Sequence, residues 1–204
     1  MQVNRVVTGE IEENCYLVWE DDQLLIIDPG ADSPRIIEEI NKTEAKPLAI
    51  LLTHAHFDHI GAVDTLRDFY HIEVYLSPLE KDWLQDPSLN LSASFEESII
   101  VRPAEKELEN KEYQLGNLSF KVVSTPGHSI GSVSFIFENF VIAGDTLFRG
   151  SIGRSDLPTG NLEQLLESIQ SQLFTLPNQF PVYPGHGAPT TIEVEKRSNP
   201  FFVK

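Results

Sequence analysis

The sequence predicts an α+β protein in which two mixed β-sheets pack together between layers of helices, an αββα sandwich. Two observations predict this class. Strand-like segments come in two batches, one in the first third of the chain and one beyond about residue 118, with helical patterns between and after them. No internal period suggests a repeat architecture. At 204 residues the chain is expected to form a single domain spanning residues 1–204.

The first batch of strands is bounded by turn residues. The segments "QVNRVVT", "NCYLVWE" and "QLLIID" are separated by Gly9 and by Asp21–Asp22, and they stop at Pro29–Gly30. Ser33 is predicted to cap the next helix, "RIIEEI", because a proline follows it in the first turn. "PLAILLT" reads as a buried strand ending at Thr53, and "IGAVDTLRDFY" as an amphipathic helix.

The second batch follows an irregular stretch. Short helices and a surface loop are expected from Ser77 to about Arg102, where prolines interrupt any period. Three strands are then predicted in "LSFKVVSTPGHS", "GSVSFIFEN" and "FVIAGDT", followed by a helix, "NLEQLLESIQSQLFTL", capped by Asn161. The final predicted strand is "FPVYPGHG".

Composition excludes some classes of function. Fifteen basic against thirty-one acidic residues give a net charge of −16, which disfavours nucleic-acid binding. No apolar run is long enough to suggest a membrane span. Cys15, the single cysteine, cannot form an internal disulfide, and the first ten residues lack the apolar stretch of a signal peptide. A cytoplasmic location is therefore expected, with Cys15 as a strand-core residue.

The segment "HAHFDH" concentrates metal-ligand types directly after a predicted strand. It supplies His54, His56, Asp58 and His59. Neutral imidazole and carboxylate are ligands that borderline divalent metals accept. A surface or core role explains any one of these histidines alone, but it does not explain the set.

Three further ligand-type residues follow predicted strands and stand beside glycine: His128, Asp145 and His186. The sixth histidine, His71, closes a helix without ligand types nearby, so it is interpreted as a cation near the negative end of the helix dipole. Seven ligands exceed what one catalytic zinc takes, which favours two metal sets that share a carboxylate.

The motifs "THAHFDHIG", "TPGHSIGS", "GDTLFRGSIGR" and "YPGHG" together resemble those of the metallo-β-lactamase-fold hydrolases over nearly the whole chain. Within that group the sequence is most similar to the glyoxalase II-like hydrolases. The resemblance implies the αββα fold and two divalent ions bridged by Asp145; zinc is the expected metal, with iron and manganese as alternatives. It places His54, His56 and His128 on one ion. It places Asp58, His59 and His186 on the other.

The same resemblance assigns a supporting role to Asp28 in "IIDPGAD", where it holds the metal loop by hydrogen bonds and is not a ligand. Asp58 could also orient or accept a proton. After Asp145, the segment "FRGSIGRSDLPTG" places Arg149 and Arg154 in a loop. Ordinary salt bridging and binding of an anionic substrate group are equally good explanations of these two arginines.

The predicted reaction is hydrolysis of a small-molecule S-acyl thiol such as S-lactoylglutathione. Two metals about 3.5–4 Å apart can hold a bridging hydroxide at neutral pH while one polarises the substrate carbonyl. Full glyoxalase II enzymes add a C-terminal helical region with glutathione contacts, whereas 18 residues follow His186 here. S-lactoylglutathione is therefore expected to saturate the enzyme less readily than it saturates a full glyoxalase II.

The same residues favour or disfavour several other functions. A class B β-lactamase normally has a cysteine at the position of Asp145, and a persulfide dioxygenase leaves Asp58, His59 and His186 without a metal role. A lactonase shares every ligand and stays an alternative. From another class, the chain could be a non-catalytic metal-binding or interaction protein, which the intact ligand set disfavours. The sequence does not decide the oligomeric state.

Overall fold

The computed structural model describes residues 1–203, which form two compact units. The first comprises Met1–Leu108 and Gln114–Leu118, and the second comprises Glu109–Tyr113 and the residues from Ser119 onward. A mixed six-stranded sheet dominates each unit. Each unit also has its own cluster of buried apolar side chains.

The first sheet has its strands in chain order, antiparallel from the first to the third and parallel from there on. Its strands are β1 Gln2–Thr8, β2 Glu13–Glu20, β3 Gln23–Ile27, β4 Lys46–Leu51, β5 Glu73–Leu76 and β6 Lys106–Glu107. The α-helices of this unit are α1 Ser33–Thr43, α2 Phe57–Ile60 and α3 Val63–Tyr70, and Pro78–Glu80 and Trp83–Gln85 are 3₁₀ turns.

The core of the first unit lies on β2 and β3, whose apolar runs are almost completely buried, and on the last three residues of β4. Cys15 on β2 is 0% exposed, which confirms its place in a strand core. Burial raises the pKa of the Cys15 thiol well above its usual value. A thiol that is inaccessible and protonated is structural, because the thiolate is the reactive form.

Ser33 does not cap α1, and that prediction is wrong. The capping position belongs to Asp32, which has a left-handed backbone (φ 53°) and makes no side-chain capping bond. Its carboxylate instead accepts a hydrogen bond from the Gly9 amide at 2.9 Å, so it fastens the turn between β1 and β2. The carbonyl of Asp32 still accepts the amide of Ile36 and starts the helix.

The predicted strand through Thr53 ends earlier, at Leu51, because the Thr53 amide donates to the Asp28 carboxylate and not to a neighbouring strand. The single helix expected from Ile60 to Tyr70 is also wrong. It is divided into α2 and α3, and the Ala62 amide between them donates to the Pro29 carbonyl at 3.0 Å. Asp58 and His59 therefore lie on a short helical turn, which fixes their directions more tightly than a loop would.

The second sheet has the order β14-β13-β10-β9-β8-β7, with a small β11-β12 ribbon beside it. These strands are β7 Glu112–Leu115, β8 Leu118–Ser124, β9 Val133–Ile136, β10 Val141–Gly144, β11 Leu147–Phe148, β12 Ser151–Ile152, β13 Pro181–Pro184 and β14 Thr190–Thr191. The helices are α4 Leu162–Ser168, which continues as a π-turn at Ile169–Leu173, and α5 Ile192–Ser198.

The predicted strands of this unit are confirmed, each shorter than its apolar pattern. The sequence did not predict α5 or the strands β5, β6, β7, β11, β12 and β14, which are too short to show a clear period. Among residues 1–203, no helix combines the length and apolar character needed to cross a bilayer.

Asn161 caps α4 as predicted, because its side chain accepts the Gln164 amide at 3.0 Å. We expect Asn161→Ala to lower the free energy of unfolding by about 1 kcal/mol, since a helix N-terminus loses its acceptor. Urea unfolding measures this change. Gln164→Ala, an exposed change in the same turn, is the control, and equal midpoints for the two variants would contradict the capping role.

Candidate metal centre

The first unit gathers the histidines of residues 52–59, here called the histidine loop. His54 and His59 are completely buried and His56 is nearly so. The ring centre of His54 lies 4.6 Å from that of His56 and 4.2 Å from that of His59. Three imidazoles this close, with the Asp58 carboxylate beside His59 at 3.5 Å, form one polar cluster inside an apolar unit.

The carboxylate of Asp28 supports this cluster through hydrogen bonds to the histidine loop. It follows β3 with a left-handed backbone (φ 50°), and it is 1% exposed. One carboxylate oxygen accepts the Thr53 amide at 2.7 Å, and the other accepts the Thr53 hydroxyl at 2.6 Å. The second oxygen also lies 3.0 Å from Nδ1 of His59. The hydrogen bonds expected of Asp28 are therefore present, while its effect on metal affinity stays a prediction.

These contacts decide which imidazole nitrogen faces a metal. The Thr53 hydroxyl donates to Asp28, so its oxygen accepts from Nδ1 of His54 at 3.0 Å. Nδ1 of His59 donates to Asp28 in the same way. A histidine protonated at Nδ1 has its lone pair on Nε2, the arrangement that metal-binding histidines commonly use.

Asp28, His54 and His59 themselves lie close enough to hold an ion, with ligand atoms within 4.8 Å of one another. The carboxylate of Asp28, however, already accepts three hydrogen bonds that shape the loop. A metal on Asp28 would displace them, so Asp28 fits the role of support better than that of ligand.

Two buried acids near the loop were not identified from the sequence. Glu80 is 0% exposed and accepts the Ala55 amide at 2.7 Å, so it fixes the backbone between His54 and His56. The sequence gives only a weak signal for Glu80, because this residue lies in the irregular stretch outside any motif. The ring of Trp83, from the same stretch, stacks on His56 with 5.7 Å between centres.

Glu13 is the second missed acid. It begins β2, is 1% exposed, and accepts the Thr8 hydroxyl at 2.6 Å, while its other oxygen lies 3.8 Å from Nδ1 of His59. Burial raises the pKa of Glu13 well above its usual value, although the nearby His59 acts in the opposite direction. In the sequence Glu13 directly follows Glu12, and nothing in the pattern distinguishes the buried acid from the exposed one.

Gly30 allows the chain after Asp28 to pass against the histidine loop. A Cβ atom at this position would lie 1.7 Å from the Asp58 carbonyl oxygen and 2.6 Å from a carboxylate oxygen of Glu13. No side chain fits in that space. The Pro29–Gly30 pair, which the sequence marks only as a turn, therefore sets the position of Asp58.

The second unit brings together His128, Asp145 and His186. Asp145 follows β10 and His186 follows β13, and these two strands are parallel neighbours. Parallel strands have their carboxyl ends at one edge of the sheet, where the Gly185 amide also donates to the Gly144 carbonyl at 2.8 Å. One oxygen of Asp145 lies 3.5 Å from Nε2 of His128 and 3.8 Å from Nε2 of His186.

His128 is oriented by the chain after Asp145. Its Nδ1 donates to the Arg154 carbonyl at 2.8 Å, which again leaves the lone pair on Nε2. The approach is close because residue 153 is glycine: a Cβ there would lie 1.8 Å from the Asp145 carbonyl oxygen. The orientation of His128 and the backbone of Asp145 therefore both depend on contacts with residues 153 and 154.

The two arginines of this segment differ. The Arg154 guanidinium makes two 3.0 Å hydrogen bonds to Asp156 and is 68% exposed, as ordinary salt bridging predicts. Arg149 is exposed. A substrate-binding role for either stays a prediction. His71, as expected, ends a helix: it is the left-handed residue after α3, and its amide donates to the Arg67 carbonyl.

The sequence of residues 8–186 matches the family model of the metallo-beta-lactamase superfamily. The chain belongs to this superfamily. Among its relatives, a probable metallo-hydrolase of Streptococcus pyogenes is 46% identical, over 99% of this chain and 90% of the relative. The hydroxyacylglutathione hydrolase GloC of Haemophilus influenzae is 34% identical, over 98% of each chain.

Two crystal structures are also similar. The B3 metallo-beta-lactamase BLEG-1 is 42% identical with a TM-score of 0.96, over all of both chains. The protein TTHA1623, solved in a di-iron-bound form, is 39% identical with a TM-score of 0.87, over 97% of this chain and 99% of that one. The predicted fold class is thereby confirmed. This superfamily member is a metallo-hydrolase whose histidine and aspartate clusters suit divalent metal.

We expect Asp28→Asn to lower metal affinity by about 10–100-fold, the usual cost of losing a group that orients a ligand. Asparagine tolerates the left-handed backbone, but it offers one acceptor oxygen where Asp28 uses two. Competition with a chromogenic chelator measures the affinity. The exposed Asp22→Asn is the control, and equal affinity in both variants would reject the supporting role.

Proposed function

We propose that this metallo-hydrolase is a binuclear thioesterase that hydrolyses small S-acyl thiols such as S-lactoylglutathione. The observation that carries the proposal is the position of Asp145. One of its oxygens lies 3.5 Å from Nε2 of His128 and 3.8 Å from Nε2 of His186, and the glyoxalase II-like motifs assign these histidines to different ions. A carboxylate in that position suits a ligand shared by two metals.

The proposed ligand sets follow the motif resemblance. One ion would take His54, His56 and His128, and the other would take Asp58, His59 and His186, with Asp145 common to both. The lone-pair directions of His54, His59 and His128 support this, because each donates from Nδ1 to a fixed oxygen. Zinc suits such nitrogen and oxygen ligands; iron suits them too, and TTHA1623 was solved with two irons.

The metals, when bound, would supply hydroxide at neutral pH and polarise the acyl carbonyl. The chain's own residues complete the arrangement. Asp58, whose side chain is 10% exposed, borders a cavity in the first unit and could orient or accept a proton of the attacking water. Asp28 and Glu80 fix the histidine loop through Thr53 and Ala55. No serine or cysteine nucleophile is needed, which agrees with the buried Cys15.

The thioester class is supported by the similarity to GloC, described as a hydroxyacylglutathione hydrolase. A lactone is an alternative, since its ring opening needs the same attack on an acyl carbon. The partner is taken to be a small molecule rather than nucleic acid because of the −16 net charge, and the cytoplasm is its proposed location.

A β-lactam is a second candidate substrate. The aspartate at position 145 argues against the cysteine-containing class B enzymes, but BLEG-1, a B3 metallo-beta-lactamase, is 42% identical to this chain. Hydrolysis of a chromogenic cephalosporin tests this candidate directly. A kcat/KM far above that for thioesters would make the β-lactam the preferred substrate.

We expect about two divalent ions per chain when metal is supplied during expression, because seven ligands suit two sites. Elemental analysis measures the content. His186→Ala should lower it, and Asp145→Ala should loosen both ions and lower activity by at least about 10–100-fold. His71→Asn, a histidine outside the clusters, is the control. One ion at saturation together with unchanged content in His186→Ala would reject the binuclear site.

We expect hydrolysis of S-lactoylglutathione with a KM above that of a full-length glyoxalase II and a smaller deficit in kcat. The net charge of −16 disfavours binding of the anionic glutathione, so the enzyme should lose affinity for the substrate in its ground state and transition state alike, which raises KM. Steady-state kinetics separate the two constants. If a smaller acyl thiol or a lactone has a far higher kcat/KM, the glutathione assignment is wrong although the site is right.

A further inference from the structure

A cavity of about 540 Å³ opens in the first unit beside Asp58. This volume is in the usual range for small-molecule sites. Four apolar side chains contribute to its lining: Ile11, Phe57, Phe95 and Ile99. We call it the Phe95 cavity. Asp58 belongs both to this lining and to the proposed ligand set, so a molecule in the cavity would lie next to the reacting centre.

Two large apolar side chains of this cavity are exposed. Ile11 is 51% exposed and Phe95 is 41% exposed. The rings of Phe57 and Phe95 meet edge to face with 4.7 Å between centres. Clustered, exposed apolar residues of this kind mark a surface that binds something apolar.

The walls of the Phe95 cavity are held in place by hydrogen bonds. The Phe57 amide donates to the carbonyl of the buried Asn90 at 2.9 Å. The hydroxyl of Ser92 accepts the Ile99 amide at 2.9 Å, and its carbonyl accepts the Phe95 amide at 3.0 Å. A cavity whose walls are already ordered costs little to organise when a ligand enters.

The charges around the cavity select against anions. Among the described residues, its lining contains Glu10 and Asp58 but no lysine or arginine. Glu12, Glu96 and Glu97 are exposed on the neighbouring turns. A carboxylate or phosphate on the ligand would be repelled here, whereas an uncharged hydrocarbon group would gain from burial.

We propose that the Phe95 cavity binds the hydrocarbon acyl chain of the substrate, so that the enzyme prefers uncharged, medium-length acyl thioesters to the short, polar lactoyl group. This inference rests on the proposed thioesterase function. The acyl chain would lie against Phe57, Phe95 and Ile11, which leaves the thioester carbonyl near Asp58. The polar thiol portion would then extend away from this apolar lining.

The test uses thioesters of N-acetylcysteamine with acetyl, butanoyl and hexanoyl groups, and metal-loaded protein. Burial of one methylene is worth about fourfold in binding, so two more methylenes should raise kcat/KM about 15-fold. A second series keeps the acetyl group and lengthens the alkyl thiol. A rise with acyl length and none with thiol length is expected. A rise with thiol length alone would overturn the proposal, because the cavity would then hold the leaving group.

Phe95→Ala and Ile11→Ser should each reduce the ratio of hexanoyl to acetyl kcat/KM by about fivefold or more, since they remove apolar lining. Phe69→Ala is the matched control, because Phe69 is 60% exposed on α3 and outside the cavity. A ketone with methylene in place of the thioester sulfur provides a readout without turnover. Its calorimetric affinity should fall in the cavity variants and not in the control.

The two hypotheses fail differently. If fully metal-loaded protein hydrolyses no thioester, the proposed function is wrong. The affinity for the ketone alone then tests whether the cavity binds a hydrocarbon chain. If acetyl and hexanoyl thioesters are hydrolysed equally well and the cavity variants keep the wild-type ratio, the thioesterase holds and the acyl-chain assignment is overturned.

Discussion

The buried carboxylate of Asp28 is the interaction on which the first half of the site depends. A charged group with 1% exposure is tolerated only where its oxygens are satisfied, and here Thr53 and His59 supply the donors. These bonds end β4, turn the chain into the histidine loop and set the protonated nitrogen of two imidazoles. Removing the carboxylate would leave those donors buried without a partner. Strand termination and ligand orientation thus have one physical cause.

The second half of the site depends on strand direction. Because β10 and β13 are parallel, Asp145 and His186 emerge at the same edge of their sheet, although 40 residues separate them in the sequence. His128 is oriented by the hydrogen bond between its Nδ1 and the Arg154 carbonyl. This segment passes close to the Asp145 backbone because residue 153 is a glycine. In the first unit buried carboxylates therefore orient the histidines, whereas in the second unit strand direction and a backbone carbonyl do so.

The charge of the chain and its candidate metal ligands affect different properties of the protein. Acidic residues outnumber basic ones by thirty-one to fifteen in the chain, and Glu10 and Asp58 line the Phe95 cavity together with its apolar side chains. Coordination chemistry decides which bond can be broken. Under the proposal above, the Phe95 cavity would decide which acyl groups reach that bond, so substrate preference could change within one metallo-hydrolase family while the metal ligands stay constant.

The sequence by itself determined the fold class, most strands and the identity of the ligand-type residues, because strand periodicity, turn residues and histidine spacing are local patterns. It also determined that Asn161 caps α4. The tertiary structure alone decided that Asp32 rather than Ser33 occupies the capping position of α1, and that Glu13 and Glu80 are buried beside the histidine loop. It also revealed the Phe95 cavity. These features arise from contacts between residues distant in sequence, such as Ala55 with Glu80, and no local pattern encodes which distant partner will satisfy a buried amide or carboxylate.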